Sequence, residues 1–472
     1  MKKLIIFALA CFAFTGCNKF DEELSVNPNQ PSEASNTQLL ANSMMYLPGT
    51  SSSPYGPLYA QHLSETEYTD ASRYNSVYFN FYNYYTGPLM NIESVLASNE
   101  LDVSEGPVPN QLAMAKVLKS YFFWHMTDRW GPLPYEQALQ GKENFTPAYN
   151  SQETIYNALF TLLDEANAEM VPGVVDNDIM YSGNPDKWRK LANTIHLLMA
   201  LRLSEVAPDK AKAEFNKALE GGIMTSNADN FVYPHLSNTD NQNYWYEVFE
   251  VLNRKWYAVS KPLVDYMKPL GDPRLGTFAE PNSQGEYVGL KYGLPGDVAN
   301  TGEYSKKNIS MLGESLRQQN SPVYLVTYAQ GLFALAEAAK RGWIAGGDAV
   351  AENYYNMAIE ASVQQWNNGE VTGLEEMMQQ PEVAYDPARA MEQIGYQRWV
   401  HLFMNGYEAW AEWRRTGYPA LEAPEDNAGR AIPLREAYPS QEAQNNSQNY
   451  KEAVQAAFNG QDDLYGRLWW DK

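Results

Sequence analysis

Apolar residues recur at helical spacing along most of the chain. Ile155, Leu159, Leu162 and Ala166 fall on one face, and Asn150 with Glu153 ahead of them has the spacing of a capping box, which predicts a helix starting there. After Asp186, read as a cap, Trp188, Ala192, Ile195, Met199 and Arg202 make a second stripe, broken at Pro208. A third helix is predicted from Lys210 to Glu220, stopped by Gly221-Gly222. Residues 74–85, YNSVYFNFYNYY, hold seven aromatics in twelve positions and no charge. Tyr78, Tyr82, Tyr85, Leu89, Ile92 and Leu96 recur on one helical face, predicting a core stripe with a kink at Gly87-Pro88. Tyr74, Phe79, Phe81 and Tyr84 fall off that face. Near the C-terminus, Trp399, Phe403, Gly406, Trp410 and Trp413 share one side of a predicted core helix ending at Gly417 and Pro419, with Glu412 and Arg415 paired across i, i+3 on the other side.

Between about 222 and 320 this periodicity gives way to Gly, Pro, Asn and Tyr, predicting loops and short elements laid on a helical scaffold. Two short helical segments resemble each other, Phe215–Glu220 and Tyr355–Glu360. The second lies in a stretch, 321–366, whose small alanines resemble a tetratricopeptide helix pair. No break in composition marks a second domain. The N-terminus opens with Lys2 and Lys3, an apolar run from Leu4 to Phe14, and Phe14-Thr15-Gly16-Cys17, which resembles a bacterial lipobox. The expected organisation is a signal peptide over 1–16, a lipidated Cys17 with a polar tether to 36, and one domain over 37–472. Cys11 lies in the removed segment and Cys17 would carry the acyl chains, so no intramolecular disulfide is expected and the lipid is the only membrane anchor.

The net charge of −22 becomes −24 once Lys2 and Lys3 are removed, which argues against nucleic acid or an anionic bilayer surface as the partner. Five dispersed histidines, His62, His125, His196, His235 and His401, offer no metal-ligand spacing, and there is no nucleophile elbow, Walker loop or dinucleotide fingerprint. No catalytic residue, metal or cofactor is expected, and the protein is not read as an enzyme. Paired carboxylates for glycoside hydrolysis are a matter of spatial separation, which sequence spacing does not reveal.

Several motifs, in order along the chain, resemble the SusD-like (SusD/RagB) family of Bacteroidetes outer-membrane lipoproteins. They are Asn27-Pro28-Asn29, Asp128-Arg129-Trp130-Gly131-Pro132, Asp272-Pro273-Arg274-Leu275, Gln397-Arg398-Trp399, Gly406-Tyr407-Glu408-Ala409-Trp410, Trp413 to Pro419, Ile432-Pro433-Leu434-Arg435, and the terminal Leu468-Trp469-Trp470-Asp471. Gln330 departs from the pattern, in which a glutamate is common. The acidic run after Cys17 is similar to an export signal of such lipoproteins to the cell surface. The resemblance implies a mainly α fold, with about four tetratricopeptide-like helix pairs supporting an irregular ligand-binding half. It also implies a function: cell-surface capture of oligosaccharides and delivery to a SusC-like TonB-dependent transporter. A peptide-binding member of the same family is the alternative, followed by a glycoside hydrolase.

A sugar ring presents an apolar C–H face and a rim of hydroxyls, so its site needs an exposed aromatic plane beside amides or charges. Two stretches offer this. One is Tyr68, Arg73 and Tyr74. The other is Asn243, Tyr244, Trp245 and Tyr246, with Arg254 and Trp256 nearby. Trp245 is expected to supply a stacking face, and Trp410 to be core.

Overall fold

The computed structural model describes residues 34–75 and 79–471. The signal segment, Cys17, most of the tether and Tyr78 lie outside the described residues. The chain is mainly helical, and its long helices pack in tetratricopeptide-like pairs. After α1 (Asn36–Met44), α2 (Tyr55–Tyr59) and α3 (Met90–Ala97) come α4 (Val108–Trp130) with α5 (Gln152–Glu169), then α6 (Pro185–Arg202) with α7 (Pro208–Gly221). Next are α8 (Tyr328–Lys340) with α9 (Gly347–Trp366), then α10 (Ala390–His401) with α11 (Gly406–Thr416), and last α12 (Ser447–Phe458). Alanines at the contacts let the paired axes approach: Ala334, Ala336, Ala338 and Ala358 are all buried.

The helix starts move by one or two residues from their expected places, for reasons of local bonding. Ser151 caps α5 by accepting from the Thr154 amide, because Asn150 pairs with Leu133 in a short antiparallel ribbon and its side chain is held by Glu136. Asn184 caps α6, accepting from the Asp186 and Lys187 amides, with Pro185 in the first turn where no amide is needed. Pro208 likewise begins α7. Gln330 caps α8 in full: its amide oxygen accepts from the Thr327 N–H while the Thr327 hydroxyl oxygen accepts from the Gln330 N–H, a complete capping box.

Two expectations about the aromatic segments are corrected. The stripe through 82–96 is buried at Leu89 and Ile92, but Tyr82, Tyr85 and Leu96 are only partly covered, whereas Tyr74, Phe79 and Phe81 are buried. The predicted kink is a π-helical turn over Tyr85–Leu89 with Pro88 inside it, and Gly87 there has no Cβ because the Tyr46 ring lies 2.7 Å from where one would be. The predicted single C-terminal helix is two. It breaks at Leu402–Asn405, where Met404 has φ +69, and the second helix opens at Gly406, packed so closely on α2 that a Cβ there would sit 2.0 Å from Pro57 N. Glu412 and Arg415 do pair, but inside the molecule: Glu412 also meets Arg202 and Arg398, and Arg415 also meets Glu337.

Asn27-Pro28-Asn29 lie outside the described residues; of the other motifs, the charged residues Asp128, Asp272, Arg274, Arg398 and Arg435 are buried. Asp128 accepts from Tyr156 (2.5 Å) and from the Trp470 indole (2.8 Å), which ties the end of the chain to the C-terminal turn of α4. Asp272 and Arg274 form a fully buried pair, and the Arg435 guanidinium binds Asp462. The histidines have local partners. His62 bonds the Trp399 carbonyl, and His401 lies between Thr327 and Ser362; burial pushes both imidazoles down to about 3.

Three short antiparallel ribbons complete the described chain. β1 (Leu63–Glu65) pairs with β5 (Tyr257–Val259), β2 (Leu133–Pro134) with β3 (Tyr149–Asn150), and β4 (Phe231–Tyr233) with β6 (Val323–Val326). The first ribbon joins the loop after residue 65 to the 222–320 region.

Candidate aromatic binding site

The β1–β5 ribbon runs in register, Leu63 against Val259 and Glu65 against Tyr257. It is extended by one residue, since the Thr66 amide donates to the Trp256 carbonyl (2.6 Å) and the Thr66 hydroxyl to that of Lys255 (3.1 Å). Tyr257, Ala258 and Val259 of β5 are all buried, and Trp256, the residue just before the strand, is half-buried. Two loops thus leave the same end of the ribbon side by side. Tyr68 meets Trp256 edge-on with ring centroids 4.8 Å apart, and the Arg254 guanidinium lies 5.0 Å from the same indole. Tyr68 is 71% exposed, the most open tyrosine among the large side chains described.

Tyr68 stands on the wall of a depression of about 640 Å³, walled by Glu67, Asp70 and Arg73 on one side and by Pro295, Asn300 and Thr301 on the other. Its walls are tied. Lys306 pairs with Glu67, Arg73 donates to the Gly293 carbonyl (3.2 Å), and Asn75 donates to Asp70 (2.7 Å). Hydroxyls, amides and charges of both signs surround an open ring, the combination that a polyhydroxylated ligand requires.

The structure brings together Tyr68, Arg73 and Arg254, and Tyr244 lies close enough to feel Arg254: its phenol is pushed up to about 12, mainly by burial, then by Tyr55 and Glu247, with Arg254 acting the other way. It does not bring Trp245, Asn243 or Tyr74 to the surface. Trp245 is 2% exposed, set against Tyr244 and, from beneath, against Tyr257. Asn243 is a buried cap, accepting from the Trp245 amide and donating to the Ser321 carbonyl. Tyr74 is buried between Tyr59 and Tyr292. The exposed stacking face expected at Trp245 is not there: Trp245 packs on Tyr257, whose chain neighbour Trp256 is half-buried. Tyr246 is half-buried.

A second depression, of about 480 Å³, was not anticipated from the sequence. Tyr46, Ser53, Asn80, Asn83, Tyr84 and Thr86 line it, with Arg129 at its base. Arg129 and His125 hold the Tyr84 hydroxyl at 3.3 Å each, while Arg129 is itself paired with Glu436. The alternation of amides and aromatics over 80–84 was the available signal; Tyr46 carried none.

The family model described as "Starch-binding associating with outer membrane", of the SusD-like group, matches residues 28–439. The chain belongs to the SusD-like family. Among solved structures, this SusD-like chain is similar to a chitin-binding protein at 30% identity, with 92% of this chain and 99% of that one covered and a TM-score of 0.81. A SusD homologue from Bacteroides fragilis is 26% identical over 93% of this chain and 100% of its own, TM-score 0.79. A chitin-binding SusD homologue from Flavobacterium johnsoniae shares the fold at 24% identity, covering 93% and 96%, TM-score 0.75. Among curated proteins none matches the chain. No helix of the described residues is long and apolar enough to cross a membrane.

Proposed function

We propose that this SusD-like protein is a cell-surface lipoprotein that binds oligosaccharides at the Tyr68–Trp256 cleft and hands them, unaltered, to a TonB-dependent outer-membrane transporter. The exposed Tyr68 ring, buttressed by Trp256 over a polar-walled depression, carries the reading. Tyr68 stacks on the apolar face of a sugar ring. Arg73, Asp70 and Asn300 are placed to bond its hydroxyls. Membership of a family described as starch-binding supports a glycan, and the 30% identical chitin-binding relative makes β-1,4-linked N-acetylglucosamine oligomers the first to try.

Calorimetry with chitohexaose and a panel of other oligosaccharides tests this. Tyr68→Ala is expected to weaken binding about thirtyfold, the equivalent of roughly 2 kcal/mol for a stacking anchor, with an unchanged melting temperature because the ring is exposed. Equal affinity of variant and wild type, release of shortened sugars, or binding of basic peptides alone would each overturn the reading. The partnership rests on the family's association with the outer membrane. Gentle solubilisation should recover the protein together with a β-barrel transporter; recovery only as a free lipoprotein would count against it.

A further inference from the structure

The loop that presents Tyr68 is strained, and the Tyr68 side chain, mostly exposed, has only the edge-on contact with Trp256 among its ring contacts. Tyr68 and Tyr74 both have left-handed backbones, φ 54 and φ 60, a conformation that bulky residues keep only where the surroundings impose it. Tyr74 is held by its own burial and by Gln61, whose amide reaches its hydroxyl at 3.4 Å. The Tyr68 ring is 71% exposed and has the Trp256 edge as its aromatic contact, and its carbonyl accepts from the Asp70 amide (2.8 Å), so the neck of the loop is the buried part of the restraint on its backbone.

At that neck stands Glu65, the last residue of β1 and only 5% exposed. Its Oε2 accepts from both the Ser72 amide and the Ser72 hydroxyl, each at 2.9 Å, and the same hydroxyl reaches the Thr69 carbonyl at 3.2 Å. One carboxylate oxygen thus joins the two ends of the loop 66–71. We infer that Glu65 is the positioning residue of the ligand loop, fixing Tyr68 against Trp256 without touching ligand itself. The inference rests on the glycan reading of this cleft.

What the two Ser72 donors require of Glu65 is an acceptor oxygen. Burial pushes its carboxyl up to about 7 against the bonds from Ser72 and Ala71, with Asp70 pushing the same way as burial. Its other neighbours, Tyr257 and Tyr292, are phenols raised by burial and bring no positive charge. A neutral side chain of the same shape should therefore serve.

The experiment compares Glu65→Ala and Glu65→Gln by hydrogen exchange of amides 66–73, by chitohexaose calorimetry and by thermal melts. Glu65→Ala is expected to speed exchange in this segment at least about tenfold and to weaken binding by a similar factor, while Glu65→Gln keeps both near wild type. Ser72→Ala, which retains the amide bond and loses the hydroxyl one, should fall between them and serves if Glu65→Ala fails to fold. Unchanged exchange in Glu65→Ala, or Glu65→Gln as loose as Glu65→Ala, overturns the inference. Faster exchange with unchanged sugar affinity upholds the clasp and instead removes the Tyr68 cleft from the binding function.

Discussion

Arg202→Ala is expected to cost this protein about 3–5 kcal/mol of folding stability, read from urea denaturation, because it strands buried carboxylates. Arg202 ends α6 fully buried and meets three acids: Glu408 and Glu412 at 2.7 Å and Asp128 at 3.3 Å. Glu412 keeps Arg398 and Arg415 as partners and is held down to about 2, so it stays ionised. Glu408 has no second cation among its ion pairs. Burial pushes it up to about 7 even with Arg202 beside it, and Glu412 and Asp128 add to the rise. A raised carboxyl contributes stability that is present below its unfolded value of about 4.5 and is lost as pH climbs through the folded value. Removing the arginine raises Glu408 further, so the deficit of the variant should widen as pH rises past about 7. A loss under about 1 kcal/mol, or one independent of pH from 7 to 8.5, would mean that water reaches these carboxylates.

Trp410→Ala is expected to cost roughly 3–5 kcal/mol by opening a cavity. Its ring is fully buried, 5.0 Å from Tyr59, with the Arg414 guanidinium 3.6 Å from its centre and its indole N–H donating to the Pro433 carbonyl at 2.7 Å. Loss of the ring also exposes Arg414, which bonds only backbone carbonyls and which burial already pushes down to about 10. Trp245→Ala belongs in the same class. The sequence presented Trp245 as a stacking face, but a tryptophan wedged under Tyr257 should lower the melting temperature as Trp410→Ala does, and folded protein should bind chitohexaose nearly as before. If Trp245→Ala instead melts like wild type and loses the sugar, the cleft extends beneath Tyr244 and the packing description is wrong.

Helix content and the burial of the C-terminal aromatics followed from local periodicity, since a 3.6-residue stripe needs no distant information to declare a buried face. The motif residues Asp128, Arg415 and Trp470 are joined in the structure: Trp470 donates to Asp128, Asp128 meets Arg202, and Arg202 meets Glu412, which pairs with Arg415. The binding half was legible only as a composition. Tyr, Trp, Asn and Arg crowd 68–74 and 241–256, yet Trp245 and Trp256 look alike in the sequence because both stand in short, irregular segments with no period to assign a side. Pairing of β1 with β5, across nearly two hundred residues, goes with burial of the whole strand Tyr257–Val259, while Trp256 just before it stays half-buried. The same long-range contact set Tyr68 beside Trp256 and placed Glu65 at the neck of its loop. By itself the sequence determined the scaffold, whose interactions are mostly local and repeated; tertiary structure decided which aromatics meet solvent, because that depends on contacts between distant segments that no local pattern encodes.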